Sequence, residues 1–297
     1  MTTRGLEDRP NEQPYKQPKE QPDSLVDNFV QGLAKDGLNM AAVLTTDTLP
    51  DGVINDFNLN TTDSSLLLIG NHGPSMWRQL QQRQQRLGRV FADPVDDYVQ
   101  DIISERLRET LPHQHGSILY PRNRLDAHLP HVPLQQLGTL AGWHHTSPLG
   151  IGIHPEFGLW FAYRALVCID CALSPATWAD GQRSGIPKPA NQLSSQLTEP
   201  TTHTSPSASL TICDSCQSRA CQMACPAGAI TFGQLPDMQL CSSYRLRENS
   251  PCANQCLARK ACPAGEASRY DDAQTAHHYS LSLAGMRKRI QSDAKSV

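Results

Sequence analysis

The chain carries no large excess of either charge: 26 Lys and Arg against 29 Asp and Glu leave a formal net charge of -3 over 297 residues. The global basic field that draws proteins onto nucleic acid is missing. Met286 to Arg289 is basic only locally, so a nucleic-acid partner is unsupported. No apolar run approaches the roughly 20 residues of a membrane-spanning helix, which argues against a membrane partner. Met1 to Asp8 lacks the basic start and apolar core of an export signal, so a cytoplasmic location is expected. In such a reducing compartment the ten cysteines read as metal ligands before disulfides. An internal repeat is also lacking outside the cysteines, which form a degenerate twofold pattern near the C-terminus.

Composition divides the remainder. Residues 1–22, rich in Pro, Gln and Glu, read as a disordered tail. Residues 23–173 read as one α+β domain. Asp23-Ser24 looks like a helix cap, with Leu25, Val26, Phe29, Val30 and Leu33 at helical spacing and Gly37 as the stop. Ser65 to Ile69 reads as a buried strand, and Ser75 as the cap of a helix running to Gly88. Asp93-Pro94 is a start signal for a helix whose apolar face is Val95, Tyr98, Val99, Ile102, Ile103 and Leu107. Gly116 to Tyr120 reads as a short strand, Leu134 to Ala141 as a helix, and Gly150 to Leu173 as two strand-like runs around a turn at His154-Pro155. Residues 174–209 shift to Ser, Thr, Pro and Gln and read as a linker. The segment 210–270 is the cysteine domain, and 271–297 reads as a C-terminal tail.

Eight cysteines fall into two sets, Cys213, Cys216, Cys221, Cys225 and Cys241, Cys252, Cys256, Cys262, each closing with Cys-Pro. That pattern belongs to bacterial ferredoxins carrying two [4Fe–4S] clusters, whose irons favour four soft, anionic thiolates each. In two-cluster ferredoxins the last cysteine of each run ligates the other cluster. The wiring expected is therefore Cys213, Cys216, Cys221 with Cys262, and Cys225 with Cys241, Cys252, Cys256. Two structural zinc sites are the alternative, since zinc also favours Cys-x-x-Cys pairs. The spacings inside both sets are longer than in the ferredoxin pattern. Cys168 and Cys171 lie on a strand-like run, where an i, i+3 pair points to opposite faces, and read as packing thiols.

Other polar residues carry more than one reading. His154 lines a pocket, ligates a metal or simply shapes a turn; Arg164 meets a polar ligand or a structural ion pair. His72, beside Gly73, either approaches a ligand or is structural. Trp160 and Phe161 read as core or pocket wall, His144-His145 as a chelating pair or, in preference, a solvated turn, and the arginines at 78, 83, 86 and 89 as a solvated helix face.

The stretch Phe91 to Pro112 and the segment Leu140-Ala141-Gly142 with Gly150 to Arg164 resemble the CblC-type cobalamin-processing family, over roughly Leu66 to Leu166. That resemblance implies a CblC/nitroreductase-like fold and a cobalamin pocket at Gly142, His154, Pro155 and Arg164. Thr139 and Gly152 stand where that family has His and Cys, which puts glutathione-driven dealkylation in doubt. Joined to the cysteine domain, the architecture resembles epoxyqueuosine reductase and, more distantly, corrinoid reductive dehalogenases. It implies an iron–sulfur redox protein passing electrons from an external donor, a ferredoxin or flavodoxin, through two clusters to a corrinoid or small-molecule substrate. A ferredoxin-type electron carrier, a corrinoid chaperone and a flavin-linked reductase are the alternatives.

Overall fold

A computed structural model describes residues 21–56, 59, 63–112, 115–121, 133–185 and 211–293. The N-terminal tail, apart from its last two residues, and most of the expected linker lie outside them. The elements in chain order are α1 (Pro22–Lys35), β1 (Met40–Thr45), α2 (Asp51–Asp56), β2 (Ser65–His72), α3 (Ser75–Leu87), α4 (Pro94–Thr110), β3 (His115–Leu119), α5 (Leu134–Leu140), β4 (His145–Thr146), β5 (Gly152–Ile153), β6 (Phe161–Ile169), β7 (Ala176–Ala179), β8 (Gln182–Ser184), α6 (Ala220–Met223), α7 (Met238–Leu246), α8 (Leu257–Ala261) and α9 (Asp272–Asp293). The chain is thus a mixed α+β protein. No helix among the described residues is long and apolar enough to cross a membrane.

Six strands form one antiparallel sheet in the order β3-β6-β2-β1-β7-β8, and β4 pairs with β5 separately. The central strand β2 is buried along its whole length, because the sheet carries an apolar layer on each face. The period-2 alternation of a strand sorts its side chains. Leu67 and Ile69, with Val43 and Val167, join the layer built with α1, α3 and α4. Leu66 and Leu68, with Leu44 and Leu166, face the layer that holds Leu137, Trp143 and Phe157. The α4 face expected from spacing is buried at all six positions, with Asp93 capping through the Asp96 amide.

Some local signals resolve differently. Asp23-Ser24 do not cap α1, whose N-cap is Gln21 without a side-chain bond; Asp23 instead binds Ser174 and Arg183. Ser75 lies inside α3 after Pro74 and makes no cap. The linker expected from Ser174 begins instead with a hairpin: β7 pairs with β1, and β8 with β7. Asp180 and Gly181, at φ 49° and 77°, make its turn, and Trp178 is buried against α1 through a bond to Asp27. The expected C-terminal tail is the 22-residue helix α9.

Residues 211–293 contain helices and turns without a strand among them. They pack closely on the sheet half. A Cβ on Gly158 would sit 2.1 Å from the Ala264 carbonyl oxygen, and one on Gly265 2.2 Å from the Phe157 backbone. Both glycines have positive φ, so only glycine suits this backbone contact. Ser268 Oγ reaches His72 Nδ1 at 3.3 Å, and Trp160 meets Tyr270 edge-on at 5.4 Å between centroids.

Candidate functional site

The eight cysteines of the two sets gather around two cavities. Cys213, Cys216, Cys221 and Cys262 line one of about 280 Å³, roofed by Leu149 and Leu159 from the sheet half. Cys225, Cys241, Cys252 and Cys256 line a second of about 260 Å³. The last cysteine of each run thus crosses into the other group. Short helices bring this about: α6 carries Cys221, α7 carries Cys241, and Cys256 and Cys262 flank α8.

Proximity leaves an electrostatic trace. Burial, then the Cys262, Cys221 and Cys216 sulfurs, push the Cys213 thiol up to about 11. Burial and Cys256 raise the Cys241 thiol, while the Arg245 guanidinium opposes the rise. Cys216 is lowered, chiefly by its hydrogen bond with Ser218. All ten cysteines are free of disulfides. Among the described residues no three His, Cys, Asp or Glu side chains form a group that holds a single metal ion.

Arg245 is buried beside the second quartet. It donates to the carbonyls of Cys252, Ala253 and Tyr279, to Ser282 Oγ and to Met286 Sδ. Spacing gave no sign of this residue; its only sequence signal is a position four residues after Cys241 on a helix.

A third cavity, about 320 Å³, opens where the sheet half meets α8 and α9, lined by Phe161, Tyr163, Arg164, Arg259, Tyr270 and His278 among others. Arg164 reaches it through a β-bulge. Ile69 pairs with Ala165 and Gly70 with Tyr163, so Arg164 is the extra residue between them. Bulges re-aim side chains in this way. Arg164 donates to Asn71 Oδ1 at 2.7 Å, and burial pushes its guanidinium down while Tyr270 and Asp96 pull the other way.

The other expected pocket residues do not join Arg164. Gly142, at φ 70°, follows α5 and is exposed, and Pro155 is exposed in the turn closed by the His154–Gly158 bridge. His154 Nδ1 accepts the amides of Glu156 and Phe157, both at 3.1 Å. Burial, then His72 and His144, push His154 down to about 4. It is therefore neutral near pH 7, with its proton on Nε2. Its bare Nδ1 is thus occupied by two backbone amides of the turn.

His72 is also taken. Its ring stacks on Phe157 at 3.6 Å, and its nitrogens meet Asn39, Asp180 and Ser268. His144 Nδ1 and the Tyr163 hydroxyl share a hydrogen bond at 2.6 Å. Trp160 is core and Phe161 cavity wall. Arg83, on the basic face of α3, pairs with Asp101 and Glu105 of α4. Cys168 packs into one apolar layer and Cys171 against the other, as opposite faces require.

Fit separates the groups the sequence implies. Two quartets of soft donors, each around its own cavity, suit an iron–sulfur cage. Of the residues expected for a corrinoid, Arg164 lines the 320 Å³ cavity, while Gly142, His154 and Pro155 do not. No protein-family model matches the chain, and no curated protein matches it. Among solved structures it is similar to the B12-trafficking protein CblC of C. elegans, at 16% identity over 51% of this chain and 72% of that one, with a TM-score of 0.35. So loose a likeness does not establish a shared function.

Proposed function

We propose that this chain is an iron–sulfur redox protein, with Cys213, Cys216, Cys221 and Cys262 holding one [4Fe–4S] cluster and Cys225, Cys241, Cys252 and Cys256 the other. The observation that carries this reading is the sorting of eight cysteines into two quartets, each around a cavity. When bound, such clusters supply one-electron transfer at potentials set by burial, charge and hydrogen bonds to sulfur. The chain does the rest. Leu149 and Leu159 give the first cavity an apolar wall, Arg245 places positive charge beside the second, and the clamped Gly158–Gly265 contact holds both against the sheet.

The acceptor occupies the third cavity, bordered by Arg164 from the sheet and Arg259 from α8. A corrinoid is the acceptor named by the resemblance at Gly150 to Arg164; the cavity would take only an edge or side chain of it. A ferredoxin or flavodoxin would supply electrons from outside. The carrier reading, in which no substrate binds, rests on the same quartets.

Visible and electron paramagnetic resonance spectra of anaerobically isolated protein, before and after reduction and after addition of cobalamin, test the proposal. Broad cluster absorption that bleaches on reduction is expected, with faster Co(II)-to-Co(I) reduction in intact protein than in Cys225→Ser. Flavin bands without cluster absorption overturn it. Redox-active clusters with no corrinoid bound at micromolar concentration leave the carrier reading.

A further inference from the structure

The third cavity has a chemical bias that the cysteine quartets do not use. Arg164 enters it from the β6 bulge. Arg259 enters from α8 across the seam, its guanidinium 4.5 Å from the Trp160 ring centroid and 5.1 Å from that of Tyr270, with one amino group on the Leu159 carbonyl. Among the described residues neither arginine has a carboxylate within 4 Å, although Asp96 acts on Arg164 from farther away. No Asp or Glu lines the cavity.

Unpartnered polar atoms accompany the unpaired charge. Arg259 Nε, the Tyr270 hydroxyl and His278 Nε2 are buried polar atoms without a hydrogen-bond partner. Each such atom costs about 1–3 kcal/mol when left unmet, and the residues that carry them line the cavity, Arg259 Nε and the Tyr270 hydroxyl as donors. The field is positive as well: after burial itself, Arg164, His277 and Arg259 push His278 down. Donors without acceptors and guanidinium groups without carboxylates have one common complement, a small group with several anionic oxygens.

We propose that this cavity binds the oxyanion group of its ligand, a phosphate or carboxylate, held by Arg164 from the sheet half and by Arg259 and Tyr270 from the cysteine half. The proposal rests on the cavity being the acceptor site of the redox reading, and it restricts the acceptor to an anionic small molecule or to a corrinoid presenting its own phosphodiester. Because the two arginines come from different halves, ligand binding also ties the cysteine segment to the sheet.

Titration of inorganic phosphate into the full holoprotein, at ionic strength held constant with chloride, tests it by calorimetry and by thermal shift. Saturable binding is expected, weakened about tenfold or more by Arg259→Met and by Arg164→Met, and severalfold by Tyr270→Phe, which removes only a hydroxyl. Arg247→Ala, at an exposed guanidinium on Tyr244, should bind as wild type. Displacement of phosphate by cobalamin but not by cobinamide, which lacks the phosphodiester, would place the corrinoid there; displacement by neither would point to a separate anion. Either result counts for the site. Absence of saturable binding, or equal binding by all variants, overturns it. Iron and sulfide measured on the same samples separate the two readings, since a protein without clusters that still binds phosphate loses the redox proposal and keeps this one.

Discussion

Arg245 is a buried guanidinium whose partners are all neutral, in a position where proteins usually supply a carboxylate. In the proposed function its compensating charge is the cluster held by the quartet beside it, and Arg245 already opposes the burial that raises the Cys241 and Cys252 thiols. Replacing it with Gln should lower the reduction midpoint of one cluster and leave the other where it is, at a folding cost of roughly 3 kcal/mol. Redox titration followed by paramagnetic resonance reads both midpoints; equal shifts in the two, or none, would contradict this role.

Histidine sets a second prediction at the same scale. His154 is pushed down to about 4 and His278 to about 3, both mainly by burial. The unfolded chain takes up these protons near pH 6.5 while the native protein stays unprotonated. Their contribution is therefore whole above pH 6.5 and is lost as pH falls toward 4, by up to about 1.4 kcal/mol per residue per unit. Urea midpoints should drop between pH 7 and pH 5, and His154→Asn should make that drop shallower. An unchanged slope would sink the assignment. At Cys168 and Cys171, which pack into separate layers, Ser substitution should leave iron content intact.

Among the elements, the junction of the two halves depends on the backbone contact between Gly158 and Gly265. Ala at either position meets a carbonyl or peptide and is held at positive φ, so a loss of about 2–4 kcal/mol is expected from overpacking and strain. The double variant should cost less than the sum, because both changes open the same contact. Denaturant unfolding measures this, and additive or negligible losses would show the halves to be loosely joined.

The strong elements were legible from spacing alone: α4 because its start signal and 3.6-residue stripe agree, and β2 because a continuous apolar run between turns suits a strand covered on both faces. The hairpin β7–β8 was hidden by composition, since Ser and Thr around it suggested a linker. Its signal was the Asp180-Gly181 pair, a favoured hairpin turn. Helix α9 lacks a clean apolar stripe, being anchored through Tyr279, Ser282 and Met286 to Arg245, and so gave no periodic trace. That the cysteines line two cavities follows their two runs, with Cys225 and Cys262 each lining the cavity of the other run. That Gly142, His154 and Pro155 stay apart from the cavity Arg164 lines was not legible, since a one-residue bulge and a tight turn decide where each side chain goes, and neither leaves a pattern in sequence.

At the scale of the whole molecule, two four-cysteine cavities and a cationic third cavity share the seam between an antiparallel α+β half and a helical cysteine half. The segment Ser147 to Leu159 touches all three, a placement that suits short electron paths from quartet to ligand. Cys262→Ser should cost the first quartet its closing ligand while sparing the second, leaving about four irons per chain, and a loss of all iron would contradict the grouping. The most direct test of the central claim is iron, acid-labile sulfide and zinc content of the anaerobically isolated chain. About eight irons and eight sulfides per chain are predicted, four of each per cluster; stoichiometric zinc without sulfide would contradict it.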